Sequence, residues 1–297
     1  MPSSRRRADL ARVVLWMTGA LLSFSAMAVS VRALSGTLKI MEILALRNGG
    51  GLMILLVLAA FNPALMRTVS VRRLPLHLAR NTVHFGAQFL WVTGVTLLPL
   101  ATVFALEFTA PAQAVVLSAV FLRERLTPGR IGVVVFGLLG VLVVLRPGLE
   151  SFRPAALVVL GAAVGFAIQL ILTKALTMTE TTYAIVFWMN VIQLPLALAG
   201  SDPRAFLALG AADLLPALAM MVTGLFSHFC VAQAFRHGDA SLVVPMDFMR
   251  VPLIALVGWW LYREQLDAFV FLGAALIVSG IVANLRAEAA QKGAPAK

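Results

Sequence analysis

The length, composition and charge of the chain exclude an ordinary water-soluble domain. Of its 297 residues, 61% are hydrophobic and 12% are charged, whereas soluble domains carry roughly 25% charged residues. The mean hydropathy of +0.94 leaves too little polar surface to cover a globule in water, so the lipid bilayer is the expected solvent. The net charge of +11 lies in short connectors between apolar segments, which indicates membrane topology and no nucleic-acid partner.

Apolar segments follow one another along the chain, separated by short connectors. Crossing the hydrocarbon core takes about 20 apolar residues in an α-helix, and ten segments meet or approach this length. They cover residues 13–31, 41–61, 79–98, 101–121, 131–145, 154–173, 182–199, 213–235, 240–261 and 269–285. The sequence therefore predicts an all-α, polytopic membrane protein of ten transmembrane helices. The basic N-terminus resembles a signal peptide, but we expect it to be retained as part of the first helix because further spans follow.

Lys and Arg residues are distributed unequally over the two sides of the predicted spans. The side that holds both termini carries 16 of them, and the other side carries 6. Because cytoplasmic connectors are enriched in basic residues, both termini are predicted to lie in the cytoplasm. The remaining two, Arg47 and Arg250, fall inside spans. Arg47 is expected to extend its charged end to the interface.

The second half of the chain repeats the first. At an offset of 140 residues Glu107-Phe108 aligns with Asp247-Phe248 and Arg123-Glu124 with Arg263-Glu264, and at an offset of 142 Arg32 aligns with Lys174. We therefore divide the chain into two five-helix repeats, 1–150 and 151–297. An odd number of spans inserts the second repeat upside down relative to the first. Such inverted repeats are typical of alternating access around a site near the membrane midplane.

Two segments carry a resemblance to a known family. They are LEFTAPAQAVVLSAVFLRERLTPGRIGVVVFGLLGVLVVLRPG at 106–148 and VVPMDFMRVPLIALVGWWLYREQLDAFVFLGAALIVSGIVANLR at 243–286. The chain resembles the drug/metabolite transporter superfamily, in particular its EamA-type branch and the bacterial YddG-like aromatic amino-acid exporters. The resemblance implies a multi-pass transporter of the bacterial inner membrane that exports aromatic and other hydrophobic amino acids or related metabolites. It also implies a cavity lined mainly by spans 1, 3, 4, 6, 8 and 9.

Three charged residues inside predicted spans are candidates for substrate binding or gating. A charge at the centre of a transmembrane helix costs about 2.5–3.5 kcal/mol on insertion scales, so it usually faces a cavity or a partner. Glu107 lies in the fourth span, and Asp247 and Arg250 lie three residues apart in the ninth, where they can pair on one helical face. The ammonium and carboxylate of an amino acid would suit these charges. The alternative is a static ion pair that joins helices or closes a gate.

The third predicted span carries a polar stripe. Asn81, His84, Gln88 and Trp91 are spaced 3, 4 and 3 residues apart, which places them on one helical face. A polar face that ends in an indole suits a water-lined cavity for an amphipathic solute. Hydrogen bonding between helices is the alternative explanation. His228 in the eighth span is a further candidate contact, or else a packing histidine.

No motif in the sequence indicates catalysis, a metal or a cofactor. None of the four histidines belongs to HExxH, and the sequence contains no Cys/His cluster with zinc spacing, no GxSxG and no nucleotide-binding motif. An enzyme or a sensor is therefore the weaker interpretation. Within transport, the alternative to amino-acid export is a drug or another metabolite. A phosphorylated substrate would need two or more cations near the site, and the sequence places only Arg250 there. The exact substrate, proton coupling and oligomeric state stay open.

Overall fold

The computed structural model of the chain describes residues 2–110, 112–113, 116–117, 128–146, 153–177, 179–237 and 249–293. These residues form ten α-helices and two short 3₁₀ helices. The α-helices are α1 (Pro2–Leu34), α2 (Ile40–Phe61), α3 (Leu74–Leu97), α4 (Leu100–Glu107), α5 (Pro128–Leu145), α6 (Ala155–Thr177), α7 (Thr182–Ala199), α8 (Ala211–His237), α9 (Arg250–Tyr262) and α10 (Ala268–Gly293). Each of the ten predicted spans overlaps one of these helices.

Among the described residues, five helices are long and apolar enough to cross a membrane. These spans are Ala11–Leu34, Ile40–Phe61, Ala155–Thr173, Thr182–Ala199 and Ala211–Val231, and three further apolar stretches are shorter. Large apolar side chains face outward, among them Leu15 (66% exposed), Leu215 (77%) and Trp260 (71%). Such a surface is costly in water and favourable in lipid. The chain is thus an all-α, multi-pass membrane protein.

Helix α3 reverses the usual arrangement of a soluble helix. Its polar residues His77, Arg80, Asn81, His84 and Gln88 are all buried, while its exposed positions include leucines. Pro75 lies in the first turn of α3, where its missing N–H removes no helical hydrogen bond. Pro99 stands just after α3 and at the N-cap of α4. Since a proline cannot donate to the preceding turn, the chain reverses here and brings α4 back along α3.

The helices of the two halves are interleaved. Helix α1 packs against α8, and α3 packs against α6; three further pairs are α2 with α7, α4 with α9 and α5 with α10. If α1–α5 correspond to α6–α10, the first two pairs exchange with one another and the other three map onto themselves. The helix pairing therefore follows the two-fold relation that the repeat in the sequence predicts.

Alternate connectors meet at the same end of the molecule. At one end, Thr37 donates to Asp213 (3.2 Å) and the backbone N–H of Asp202 donates to Glu42 (2.9 Å). At the other end, the hydroxyl oxygens of Thr181 and Thr68 lie 3.0 Å apart and Trp188 donates to the carbonyl of Ser70 (3.0 Å). Successive helices thus run in opposite directions through the molecule.

Helix α4 is interrupted beside Glu107. The helix ends there, Phe108 and Thr109 form a turn, and helical structure resumes at Ala110. In the sequence, a proline follows four residues after Glu107 at position 111. A proline ring excludes the carbonyl four residues before it from the helical ladder, so a bend or a break is expected at Glu107. In the second half, Met249 is likewise a turn residue, directly before Arg250.

Candidate substrate-binding site

A cavity of about 290 Å³ lies between helices of both halves. Its lining residues come from α1, α2, α3, α4, α6, α8 and α9, together with Phe108 and Ala110 just after α4. All six spans that the family resemblance implies contribute to the lining, and α2 adds to them. Phe24, Trp91 and Phe166 supply aromatic surface. The cavity therefore combines apolar walls with a small number of polar groups, as small-molecule sites generally do.

Six of the eight predicted site residues line this cavity. They are His84, Gln88, Trp91, Glu107, His228 and Arg250. Asn81 does not line it; its side-chain oxygen accepts a hydrogen bond from Arg80 (2.6 Å) and its backbone carbonyl accepts one from Gln193 (3.2 Å). Asn81 thus belongs to the network behind the cavity wall. Asp247 lies outside the described residues.

Glu107 and Arg250 form an ion pair that joins the two halves. Nη1 of Arg250 lies 3.3 Å from Oε1 of Glu107, and the indole N–H of Trp91 donates to Oε2 of Glu107 (2.7 Å). The Arg250 guanidinium also lies over the ring of Phe24, 4.1 Å from its centroid. The sequence predicts an intrahelical partner for Arg250, and the structure adds one from the opposite repeat. Aromatic faces attract a desolvated cation, which explains how a guanidinium that is 4% exposed is accommodated.

His84 lies between two glutamines. The Gln88 amide lies 3.2 Å from its Nε2, and the Gln193 amide nitrogen lies 3.0 Å from its Nδ1. The ring centroid of His84 is 6.0 Å from that of Phe166 and 6.1 Å from that of His228. His84 is therefore held by hydrogen bonds from two helices while its ring forms part of the cavity wall.

Arg47 is a cavity residue and does not extend to the interface as the sequence suggests. It lines the cavity, is 5% exposed, and its Nη2 lies 3.4 Å from Nε2 of His228. A second guanidinium, that of Arg80, is also buried and donates to Thr173 (2.9 Å). The expectation that Arg250 is the single cation near the site is thus wrong, because two arginines line the cavity and a third lies behind it.

One sequence signal could have located Arg47. It lies two turns inside α2, about 10 Å from the start of that helix at a rise of 1.5 Å per residue. This distance is long for a side chain that must reach the interface. The sequence does not indicate that Gly224 on α8 contacts Arg47. A Cβ at Gly224 would lie 3.0 Å from Nε and 3.1 Å from Cγ of Arg47, so the glycine provides the space that the arginine occupies.

An ion-pair cluster lies beyond the cavity, toward the connector between α3 and α4. Arg32 pairs with Glu264, and its guanidinium also donates to the backbone carbonyls of Val95 and Leu98. Glu264 in turn accepts from the backbone N–H of Leu100 (2.9 Å). Val95 is one helical turn after the cavity residue Trp91. The cluster therefore joins the two repeats at one end of the molecule, one turn from the cavity.

Comparison with known proteins places this architecture in a family. A model of the EamA-like transporter family matches residues 11–146 and again residues 153–286. A riboflavin transporter of Rhizobium johnstonii is 30% identical over 224 residues, which cover 74% of this chain and 73% of that protein. An S-adenosylmethionine uptake transporter of Rickettsia felis is 25% identical over 211 residues, 71% of each chain.

A third relative aligns over almost the whole length. A pseudopaline exporter of Pseudomonas aeruginosa is 29% identical over 279 residues, which cover 92% of this chain and 95% of that protein. These relatives carry different small molecules, so they support metabolite transport in general, and the finer resemblance to amino-acid exporters stays a prediction. Because the family model matches both halves, the chain belongs to the EamA-like transporter family and is a membrane transporter, not an enzyme.

Proposed function

We propose that the protein is a secondary transporter that exports aromatic or other hydrophobic amino acids, or closely related carboxylates, across a bacterial inner membrane. The observation that carries this proposal is the cavity between the two repeats, which combines aromatic walls with Arg47, Arg250 and Glu107. A ring can lie against Phe24, Trp91 or Phe166, while a carboxylate and an ammonium each find an opposite charge. The volume of about 290 Å³ lies at the small end of ligand pockets, which span about 300–1,000 Å³.

Alternating access is the transport mechanism that the architecture favours. The symmetric helix pairing and the two family matches support two repeats of five helices each. In an inverted arrangement, either end of the cavity can be closed by equivalent helices. The excess of basic residues on the side of the termini supports a cytoplasmic location for both.

The relatives leave a second candidate function. They include an uptake transporter and an exporter, so membership in the family does not determine direction. A larger aromatic metabolite, such as the riboflavin named for the Rhizobium johnstonii relative, is the second candidate because the cavity walls are rich in aromatic rings. Such a solute would require a cavity that widens during the transport cycle.

Counterflow in proteoliposomes tests the proposal. Vesicles that contain the wild-type protein are loaded with unlabelled phenylalanine or tryptophan. They are expected to accumulate the labelled amino acid from the outside solution. Arg250→Ala is expected to abolish this uptake because it removes the cation between Glu107 and Phe24, while the protein still inserts. Riboflavin, S-adenosylmethionine and a sugar phosphate complete the panel, at two pH gradients to detect proton coupling.

The panel separates the candidates. Counterflow of riboflavin without any amino acid would replace the proposed substrate with the second candidate. Unchanged counterflow in Arg250→Ala would remove this arginine from the site. An Arg204→Ala variant is the matched control, because Arg204 is exposed in a connector.

A further inference from the structure

Arg47 is a buried cation without a compensating carboxylate among the described residues. It forms no ion pair in the part of the chain that the structure describes, and its Nη1 has no hydrogen-bond partner there. Its Nη2 contact is the imidazole of His228. An unpaired charge in a membrane interior is expensive and is usually retained for function. Its position on the cavity wall therefore points to a ligand that supplies the missing negative charge.

The packing around Arg47 keeps its guanidinium in place. Gly224 leaves room for the side chain, since a Cβ there would lie 3.0 Å from Nε. The ring of His228, which contacts Nη2, also packs edge-to-face against Phe24 with 5.8 Å between centroids. Arg47 is thus held between α2 and α8 and is pre-organised for an incoming anion, which lowers the entropic cost of binding.

Gln88 provides a second donor in the same cavity. Gln193 donates from its amide nitrogen to the carbonyl of Asn81, so this nitrogen also faces His84 Nδ1. Nδ1 must then accept, and the single ring proton of the neutral imidazole lies on Nε2. The Gln88 amide nitrogen stands 3.2 Å from this Nε2, so the amide must be turned for its oxygen to accept that proton. The NH₂ group then takes the other terminal position, which is buried and has no hydrogen-bond partner among the described residues, and it is left to donate to a ligand in the cavity that Gln88 lines.

We infer that Arg47, assisted by the Gln88 amide, binds the carboxylate of the transported solute. This inference rests on the proposed function and assigns the carboxylate to Arg47, because the Arg250 guanidinium already bonds Glu107 (3.3 Å). The aromatic ring of the solute then lies between Phe24 and Phe166, and the Glu107 side of the cavity receives an ammonium if the solute has one. A carboxylate is the favoured anion, because it matches the planar guanidinium with two hydrogen bonds.

Thermal unfolding of the purified full-length protein with simple probes tests this assignment without transport. The probes are phenylacetate, its neutral analogue phenylacetamide, and phenyl phosphate. In the wild type, phenylacetate is expected to raise the Tm more than phenylacetamide does, since only the carboxylate pairs with Arg47. In Arg47→Met, the apparent affinity for phenylacetate is expected to fall on the order of 10- to 100-fold, the range for hydrogen bonds to charged groups.

The Tm values of the unliganded proteins distinguish a binding role of Arg47 from a structural one. Removing an unpaired buried charge is expected to leave the Tm of Arg47→Met equal to or above that of the wild type, whereas the loss of a structural residue would lower it. Gly224→Ala is the second variant. It keeps the charge and displaces the guanidinium, so it is expected to weaken phenylacetate binding in the same direction. Arg204→Met, in an exposed connector, is the control.

Three outcomes would overturn the inference. They are equal stabilisation of the wild type by phenylacetate and phenylacetamide, undiminished phenylacetate binding in Arg47→Met, and stronger stabilisation by phenyl phosphate than by phenylacetate. Failure of the proposed function looks different. If amino acids show no counterflow but phenylacetate binding still depends on Arg47, the carboxylate site stands and the substrate proposal falls.

Discussion

At the scale of single residues, Glu107 lies at a contact of both repeats. One carboxylate oxygen accepts from Trp91 of its own repeat, and the other pairs with Arg250 of the opposite repeat. The contact therefore reports on how the halves are held together as well as on the cavity. Glu107 can therefore have two roles: it can connect the two halves as part of a static ion pair, or its charge can bind the substrate.

A double-mutant cycle separates the two roles. Glu107→Gln, Arg250→Ala and the double variant are expected to show a coupling free energy of unfolding of about 1.5–3 kcal/mol, because the pair is a hydrogen bond between charged groups. Denaturation of the purified proteins measures it. Counterflow is expected to stay absent in the double variant, since the substrate loses Glu107 as the partner of its ammonium. Recovery of counterflow in that variant would show that the pair only holds the helices.

Helical spacing predicted the three cavity residues of α3 but not the charge balance of the site. Residues 84, 88 and 91 follow from the stripe on α3, since every third or fourth residue shares a face. Asn81 continues that stripe yet lies behind the wall, because the cavity ends before the stripe does. From the sequence, Arg47 is assigned to the interface in spite of its depth in α2, since the same side chain can either extend outward or remain inside. Which of these occurs depends on the space at Gly224, 177 positions away in the sequence.

At the scale of elements, α5 and α10 approach each other through their glycines. A Cβ at Gly140 would lie 2.6 Å from the backbone carbonyl of Gly273, and one at Gly280 would lie 3.2 Å from the carbonyl of Gly132. Small residues permit such close packing of helices in lipid, where van der Waals contact replaces the hydrophobic effect. The repeat in the sequence aligns Gly140 with Gly280, so equivalent glycines act on both helices of the pair.

Gly140→Leu is expected to weaken this helix pair. The added side chain must push the α10 backbone away, which costs roughly 1–3 kcal/mol for a tightly packed core. The yield of monodisperse protein and its Tm in detergent measure the effect. Gly86→Leu is the matched control, because a Cβ at Gly86 meets nothing within 4 Å. Equal Tm values for the two variants would contradict the role of Gly140 in packing.

Helix positions followed from the sequence more readily than helix breaks. Long apolar runs predicted where the helices lie, since lipid sets their length and polarity. The turn at Phe108 and Thr109 is different, because a proline in a membrane helix can either bend the helix or interrupt it. The local sequence does not distinguish these outcomes. Packing against neighbouring helices decides between them.

At the scale of the whole molecule, the cluster around Arg32 and Glu264 closes one end of the repeat interface. The pair joins α1 to the connector after α9, and both partners also bond the segment between α3 and α4. A second ion pair at this end, between Arg146 and Asp267, is more exposed and joins α5 to the start of α10. The first pair is the less exposed of the two, so we expect it to restrict access to the cavity from this end.

In the Glu264→Gln variant, the end of the molecule near Arg32 is expected to open to water more often, because the ion pair with Arg32 is lost. A Val92→Cys substitution in the cavity wall, in a background where the buried Cys230 is replaced by serine, reports the change. An impermeant maleimide added on the side opposite the termini should label the introduced thiol faster in Glu264→Gln than in its parent. Asp267→Asn is the matched control and should leave the rate unchanged. Faster labelling from the side of the termini would contradict both the gate and the predicted orientation.

The pairing of α1 with α8 has a consequence for biogenesis. Helix α1 finds its main partner some 180 residues later in the chain, so it must remain in the lipid without that partner until α8 has been synthesised. Neither repeat can complete its own packing in isolation. We therefore expect an insertion intermediate in which the polar face of α3 is not covered until α6 emerges.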